Sequence, residues 1–322
     1  MPFAQRLSTC TALLVAAAFI AQPAAAQKTT LPETSNVTPT ITEFGDGLIM
    51  AWTGRDNRIN LLRTRDGVTW SNKVTLNETT EFGIALAEFG GQLVLAWTGT
   101  GTRRTLNLMT SRDGASWSNK VTLEDRSDEG PALATDGETL YMAWRGLRNH
   151  KLNVMQSRDA TTWRGKSVLE DSTLSRPMLA VHNKRLFLAW TEPPVFVRQK
   201  PDTSKTAVRR TPPPPVGPVK VRRSNDGLDW SATISLDGRS TASPALVSYG
   251  DRLWIGWINE GRGNIVLKRS TDGLDWGGAI RLDDSSGKGP TLAATADHLL
   301  LVWTGTGNLR LNVARSTDGL GF

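Results

Sequence analysis

The chain has 322 residues, 38 Lys and Arg against 31 Asp and Glu for a formal charge of +7, one cysteine and 12 tryptophans. The basic excess is local: between Thr191 and Arg223, Arg198, Lys200, Lys205, Arg209, Arg210, Lys220, Arg222 and Arg223 face only Glu192 and Asp202, a net of +6. The remainder is near neutral, which argues against nucleic acid as a partner, and the lone Cys10 excludes a disulfide framework.

Arg6, the apolar run 12–21 and Ala24-Ala25-Ala26 ahead of Gln27 read as a secretory signal peptide over 1–26. The run is too short for a permanent membrane span. Cys10 lies before it, unlike a lipoprotein cysteine, and would leave with the leader. The expected product is soluble, secreted or periplasmic, not transmembrane and monomeric, with residues 27–322 as a single domain.

From there the chain repeats itself. A turn of the form Ser111-Arg112-Asp113-Gly114-Ala115-Ser116-Trp117 recurs with its aspartate at Asp66, Asp113, Asp159, Asp226, Asp272 and Asp318, at intervals of 47, 46, 67, 46 and 46. Ahead of each turn runs an alternating apolar segment ending at Trp52, Trp97, Trp144, Trp190, Trp257 or Trp303. With the short runs on either side, each unit holds four β-rich segments separated by Gly, Asp and Ser, which predicts one four-stranded antiparallel sheet per repeat. Leu93, Leu95 and Trp97 fall on one face of their segment and Val94 and Ala96 on the other, so both faces are apolar and both need cover. Stacking the sheets around an axis supplies it. The expectation is an all-β, six-bladed β-propeller.

The count of six has independent support. Eight residues after Leu31, Leu76, Leu123, Leu169, Leu236 and Leu282 stand Pro39, Ile84, Pro131, Pro177, Pro244 and Pro290, five prolines where an innermost strand would start. Gln27 to Thr34 matches Asn72 to Thr79, while nothing follows the last turn at Phe322. The N-terminal strand is therefore expected to complete the last blade and close the ring.

The Ser-x-Asp-Gly-x-x-Trp turns resemble the Asp-box, or BNR repeat, of sialidase-like propellers, across essentially all of 27–322. The resemblance implies that each turn joins the third and fourth strands on the face away from the active site. The residues agree with a structural role: a turn carboxylate accepts backbone N–H bonds, Gly supplies positive φ and the aromatic ring buries area. Asp159 is followed by Ala160 rather than Gly, which predicts strain in blade three. A motif present in every blade answers a need of the fold, so six catalytic or metal-binding aspartates are not expected.

Function is expected on the opposite face, in the loops where the repeats differ. Those after the tryptophans carry Arg55, Arg58, Arg103, Arg104, Arg145, Arg148, His150, Arg262 and Arg310; the linkers between blades carry Glu33, Glu78, Glu81, Asp125, Asp128, Glu129, Asp171, Asp237 and Asp284. Guanidiniums bind carboxylates bidentately and tryptophan can stack on a sugar, which suits an acidic or neutral glycan, although exposed arginines also serve as plain solvated surface. Trp97 and its counterparts read as core.

The resemblance further implies, for a sialidase, three arginines on a substrate carboxylate, a tyrosine nucleophile with a glutamate, an aspartate acid/base and an Arg-Ile-Pro signature. No arginine stands two residues before a repeat proline; Arg176-Pro177 comes nearest but lacks the intervening residue, which on a strand would turn the side chain away. Tyr141 and Tyr249 are the only tyrosines, the three histidines are isolated, and no metal or cofactor motif occurs. The expected function is a non-catalytic carbohydrate-binding propeller, with a sialidase-like exoglycosidase or an envelope protein-interaction scaffold as alternatives. The basic, proline-rich insertion at 191–218 would contact an anionic surface or a protein, or be a tolerated surface loop.

Overall fold

The computed structural model describes residues 27–194 and 215–322, so the leader and residues 195–214 of the 191–218 insertion lie outside the described residues. The described chain forms six four-stranded antiparallel sheets. The innermost strands are β2 (Thr40–Phe44), β6 (Ala85–Phe89), β10 (Ala132–Thr135), β14 (Met178–His182), β18 (Ala245–Tyr249) and β22 (Thr291–Ala294). Second come β3 (Gly47–Thr53), β7 (Gln92–Thr98), β11 (Leu140–Arg145), β15 (Arg185–Thr191), β19 (Arg252–Ile258) and β23 (Leu299–Thr304). The third layer is β4 (Arg58–Thr64), β8 (Thr105–Ser111), β12 (Lys151–Ser157), β16 (Gly217–Ser224), β20 (Asn264–Ser270) and β24 (Arg310–Ser316). Outermost lie β5 (Ser71–Thr79), β9 (Ser118–Arg126), β13 (Trp163–Ser172), β17 (Ile234–Ser240), β21 (Ile280–Ser285) and, from the other end of the chain, β1 (Gln27–Thr34). The sixth sheet runs β1-β24-β23-β22, with Thr29 opposite Val313, so the N-terminal strand does complete the last blade. No helix of the described residues is long and apolar enough to cross a membrane.

The hydrophobic core is divided among the blade junctions. Leu93, Leu95 and Trp97 pack against Ile49 and Ala51 of blade one, while Val94 and Ala96 pack against Met142 and Trp144 of blade three. The six repeat tryptophans are each at most 2% exposed. They are core, and each hides roughly 200 Å² of mostly apolar surface.

At the aspartate turns one carboxylate oxygen organises the chain. Asp113 Oδ1 accepts from the backbone N–H of Ala115 (2.8 Å) and Ser116 (2.7 Å) and from the Ser111 hydroxyl (3.0 Å), while Gly114 N–H donates to Ser111 Oγ (2.8 Å). Such bonds favour the ionised form, and backbone donors hold all six turn aspartates below the ordinary 3.8. Gly114 sits at φ +69°, and a Cβ there would lie 2.5 Å from Ile49 Cδ1 of the preceding blade. Ala160 does adopt the left-handed conformation, at φ +61°. Its methyl packs in the junction that contains Val94, which takes the place of Ile49 in the previous blade.

A second repeated device runs around the ring. Lys73 pairs with Glu33 (2.7 Å), Lys120 with Glu78 (2.7 Å), Lys166 with Asp125 and Lys28 with Asp284, each joining an outer strand to the outer strand of the preceding blade. The same four ammonium groups lie 4.9 to 5.6 Å from the ring centres of Trp303, Trp52, Trp97 and Trp144. Where blades four and five lack that lysine, having Thr233 and Ala279, a third-strand cation takes over: Arg222 reaches Asp171 (2.9 Å) and Lys268 reaches Asp237. All six junctions are bridged. Acids expected in the functional loops, Glu33, Glu78, Asp125, Asp171, Asp237 and Asp284, are thus committed to holding blades together.

Candidate functional site

Linkers from each outer strand to the next innermost strand converge on the axis, at the end of the blades away from the aspartate turns. They are clasped by the residue that follows the repeat tryptophan. Thr53 Oγ1 donates to the Phe82 carbonyl (2.8 Å), Thr98 to that of Glu129 (2.6 Å), Thr191 to that of Ala242 (2.7 Å) and Thr304 to that of Val37 (3.1 Å). Blades three and five break the pattern, with Arg145 and Ile258 in that place. These bonds use linker carbonyls. A buried serine or threonine at the start of each linker, Ser35, Thr80, Ser127, Thr173, Ser240 or Ser286, adds a hydroxyl bond to the backbone, and the side chains two residues before the repeat proline take no part in either contact.

Between the linkers lies a cavity of about 440 Å³, within the ~300–1,000 Å³ typical of small-ligand sites. Two residues before the repeat proline, the six linkers contribute Val37, Phe82, Glu129, Ser175, Ala242 and Lys288 to its wall. One residue before it stand Thr38, Gly83, Gly130, Arg176, Ser243 and Gly289. Small or neutral residues dominate both positions, and Glu129, Lys288 and Arg176 are the charged departures.

Arg176 is 5% exposed, and it lines both this axial pocket and the 280 Å³ channel beneath it. Its Nε donates to the Pro131 carbonyl (2.7 Å), which fixes the guanidinium plane. Neighbouring linkers are stripped to glycine to admit it: a Cβ on Gly83 would stand 3.2 Å from Nη1, and one on Gly130 would strike the Gly83 carbonyl at 1.9 Å. Burial pulls the Arg176 pKa down to about 10, with Glu129 opposing the fall, so it stays charged at neutral pH. Arg176 thus lines the axial pocket, where alternation on a strand would have turned it away. β14 starts at Met178, so Arg176 lies in irregular linker where two-residue alternation does not apply.

Glu129 sits beside it. Its carboxyl is pushed up to about 7, chiefly by burial and also by Asp128, against the pull of Arg145, Arg176 and Lys288. The side chain keeps 30% of its surface open, so the group is walled by protein but reachable from solvent. Arg145 Nη1 stands 3.9 Å from Glu129 Oε1 and 3.4 Å from Asp128 Oδ2, and His150 Nε2 lies 3.6 Å from that same Asp128 oxygen.

The structure therefore sorts the expected site residues. Glu129 lines the axial pocket, Arg145 backs it, and Arg104 reaches it indirectly, its guanidinium 5.3 Å from the ring centre of Phe82. Arg55, Arg58, Arg103, Arg148, Arg262 and Arg310 are exposed and lie outside the pocket wall. Glu78 is held by Lys120. Arg176 and Lys288 were not among the expected binding residues; comparing the six linkers position by position against the prolines would have found them. Both tyrosines belong to the aspartate-turn end: Tyr141 donates to Asp136 Oδ2 (3.2 Å) and Tyr249 to the carbonyls of Asp297 (2.9 Å) and Thr317 (2.7 Å).

No family model and no curated protein matches the chain. Solved structures do. A Hadza microbial sialidase matches at a TM-score of 0.62 and 17% identity over 88% of this chain and 66% of its own. A variant of the Aleuria aurantia lectin, in complex with alpha-methyl-L-fucoside, matches at 0.64 and 10% over 90% and 95%. A Trypanosoma rangeli sialidase variant displaying trans-sialidase activity matches at 0.61 and 14% over 89% and 55%. The fold is shared with sialidases and with a lectin. This chain spans 66% and 55% of the length of the two sialidases and nearly the whole of the lectin.

Proposed function

We propose that the protein is an exported carbohydrate-binding propeller of the Asp-box type, which receives an acidic residue of a glycan in its axial pocket. The observation that carries this reading is the convergence of the linker departures: Arg176, Lys288 and Glu129 line one pocket, with Arg145 behind Glu129. Guanidinium and ammonium groups recognise sugar carboxylates, and Phe82, Val37, Leu174 and Met178 offer apolar contact to a ring face. Sialidases and a fucoside-binding lectin with the same fold add support. The test is a glycan array with the wild-type protein and Arg176→Ala. Acidic glycans should bind, and the substitution should weaken them by about tenfold or more, the scale of a lost charge-assisted bond. Because Arg176 is buried, Lys288→Ala serves as a second variant that leaves the packing intact. Binding that ignored both changes would count against the pocket.

A second reading, a sialidase-like glycoside hydrolase, is favoured by one observation, the Glu129 carboxyl raised to about 7, where an acid can deliver a proton. Against it, Glu129 is the single carboxylate in the pocket wall among the described residues, and both tyrosines lie at the opposite end of the blades. Release of fluorophore from aryl glycosides, abolished by Glu129→Gln, would establish the hydrolase instead.

A further inference from the structure

This inference rests on the glycan reading of the axial pocket. We propose that Glu129 is the specificity-determining residue of that pocket and admits an acidic sugar only while it carries a proton. The Glu129 side chain takes no part in the linker clasp. The clasp from Thr98 uses the Glu129 carbonyl, and the other five linkers manage with Val37, Phe82, Ser175, Ala242 and Lys288 at the same position. An acid partly walled in by protein, at a position that the other linkers fill without one, carries a desolvation cost, and Arg176 and Lys288, two of the cations that act on it, line the same pocket.

Charge around Glu129 then sets the selectivity. Arg145 and Asp128 offset each other at 3.4 Å, with His150 near Asp128 at 3.6 Å. That leaves Arg176, Lys288 and Glu129 to define the field in the pocket; among the described residues, neither Arg176 nor Lys288 makes an ion pair within 4.0 Å. With Glu129 ionised the three sum to one positive charge, and an incoming sugar carboxylate meets a like charge on the pocket wall. Once protonated, Glu129 leaves both cations uncompensated and offers an O–H donor. A bound carboxylate in turn raises the proton affinity of Glu129, so sugar and proton enter together. Because Glu129 titrates near 7, this linkage falls in the neutral range.

Isothermal titration with D-glucuronate and D-glucose, from about pH 5.5 to about pH 8.5, tests the proposal. Glucuronate affinity should fall as pH rises through about 7 and approach a tenfold loss per pH unit above it, while glucose affinity stays flat. Repeating the titration in buffers of different ionisation enthalpy should show up to about one proton taken up per glucuronate. Glu129→Gln should bind glucuronate without pH dependence and without proton uptake. A flat wild-type profile, or the same pH dependence in Glu129→Gln, overturns the proposal while leaving the glycan reading intact. Binding of neither sugar, together with a blank glycan array, overturns both.

Discussion

At one end of every blade the chain makes the same turn six times; at the other it crosses to the next blade by six linkers that share a length and a buried serine or threonine, four of them also a threonine clasp, but differ in the side chains beside the repeat proline. Both ends belong to the same strands. In the turns, serine or threonine and aspartate are fully occupied with local bonds, five of the six have glycine at a positive φ, and four of those glycines abut a side chain of the neighbouring blade. In the linkers the holding is done by a buried hydroxyl and by main-chain carbonyls, and this leaves Glu129, Ser175 and Lys288 to vary. Side chains that the fold uses cannot drift, whereas side chains that it bypasses can acquire chemistry. The division predicts that substitutions at blade junctions and turns cost stability, whereas those in the linkers cost binding and can even stabilise.

The hardest test of that division is Trp144→Ala, inside a blade junction and 1% exposed. It should destabilise by ~3–5 kcal/mol in urea unfolding, as truncation of a buried aromatic does. A smaller loss, roughly 1–3 kcal/mol, is expected for Gly114→Ala, which meets both the left-handed φ of +69° and the Ile49 side chain. The reciprocal change Ala160→Gly should move stability by less than about 1 kcal/mol, because relief of φ +61° is offset by the lost methyl contact. Equal effects at the two positions would show that the turns are not individually fitted to their neighbours.

On the linker side the sign should reverse. Glu129 has a folded pKa raised to about 7 from an ordinary 4.5, so its protonated form is the one the fold favours. That contribution is fully present below the ordinary value and is lost as pH rises through about 7. Glu129→Gln should therefore be more stable than wild type at about pH 8 by roughly 1–2 kcal/mol, and little different at about pH 4, by thermal melts. The figure is kept low because the group retains 30% exposure. A variant less stable at every pH would mean that Glu129 does serve the fold.

Blade number, strand count, ring closure and the structural use of the aspartate turns were legible in the sequence because each is written several times, and repetition turns weak local signals into register. The pocket was less legible for the same reason. Glu129 stood out as an acid in a linker, but Glu78, equally acidic, belongs to the Lys120 pair, and the difference is that Glu78 lies on the outer strand β5 whereas Glu129 lies in a linker at the axis. Arg176 was set aside by an alternation rule valid on strands and invalid two residues before β14 begins. The exposed arginines looked alike in sequence, and only convergence on the axis separates Arg145 from Arg148 or Arg310.

The ion pairs that run around the ring have a direction: each blade offers a cation to the acid of the blade before it. At the fifth-to-sixth and sixth-to-first junctions, β1 contributes Lys28 to one pair and Glu33 to the other. Two of the six junctions therefore need the first strand seated against β24, 23 strands further along the chain. Four junctions can form in chain order, and two must wait for β1 and β24 to meet. An unfinished or C-terminally clipped chain is consequently an open arc with an unpartnered blade at each end, distinguishable from the closed ring by the protease sensitivity of those two blades.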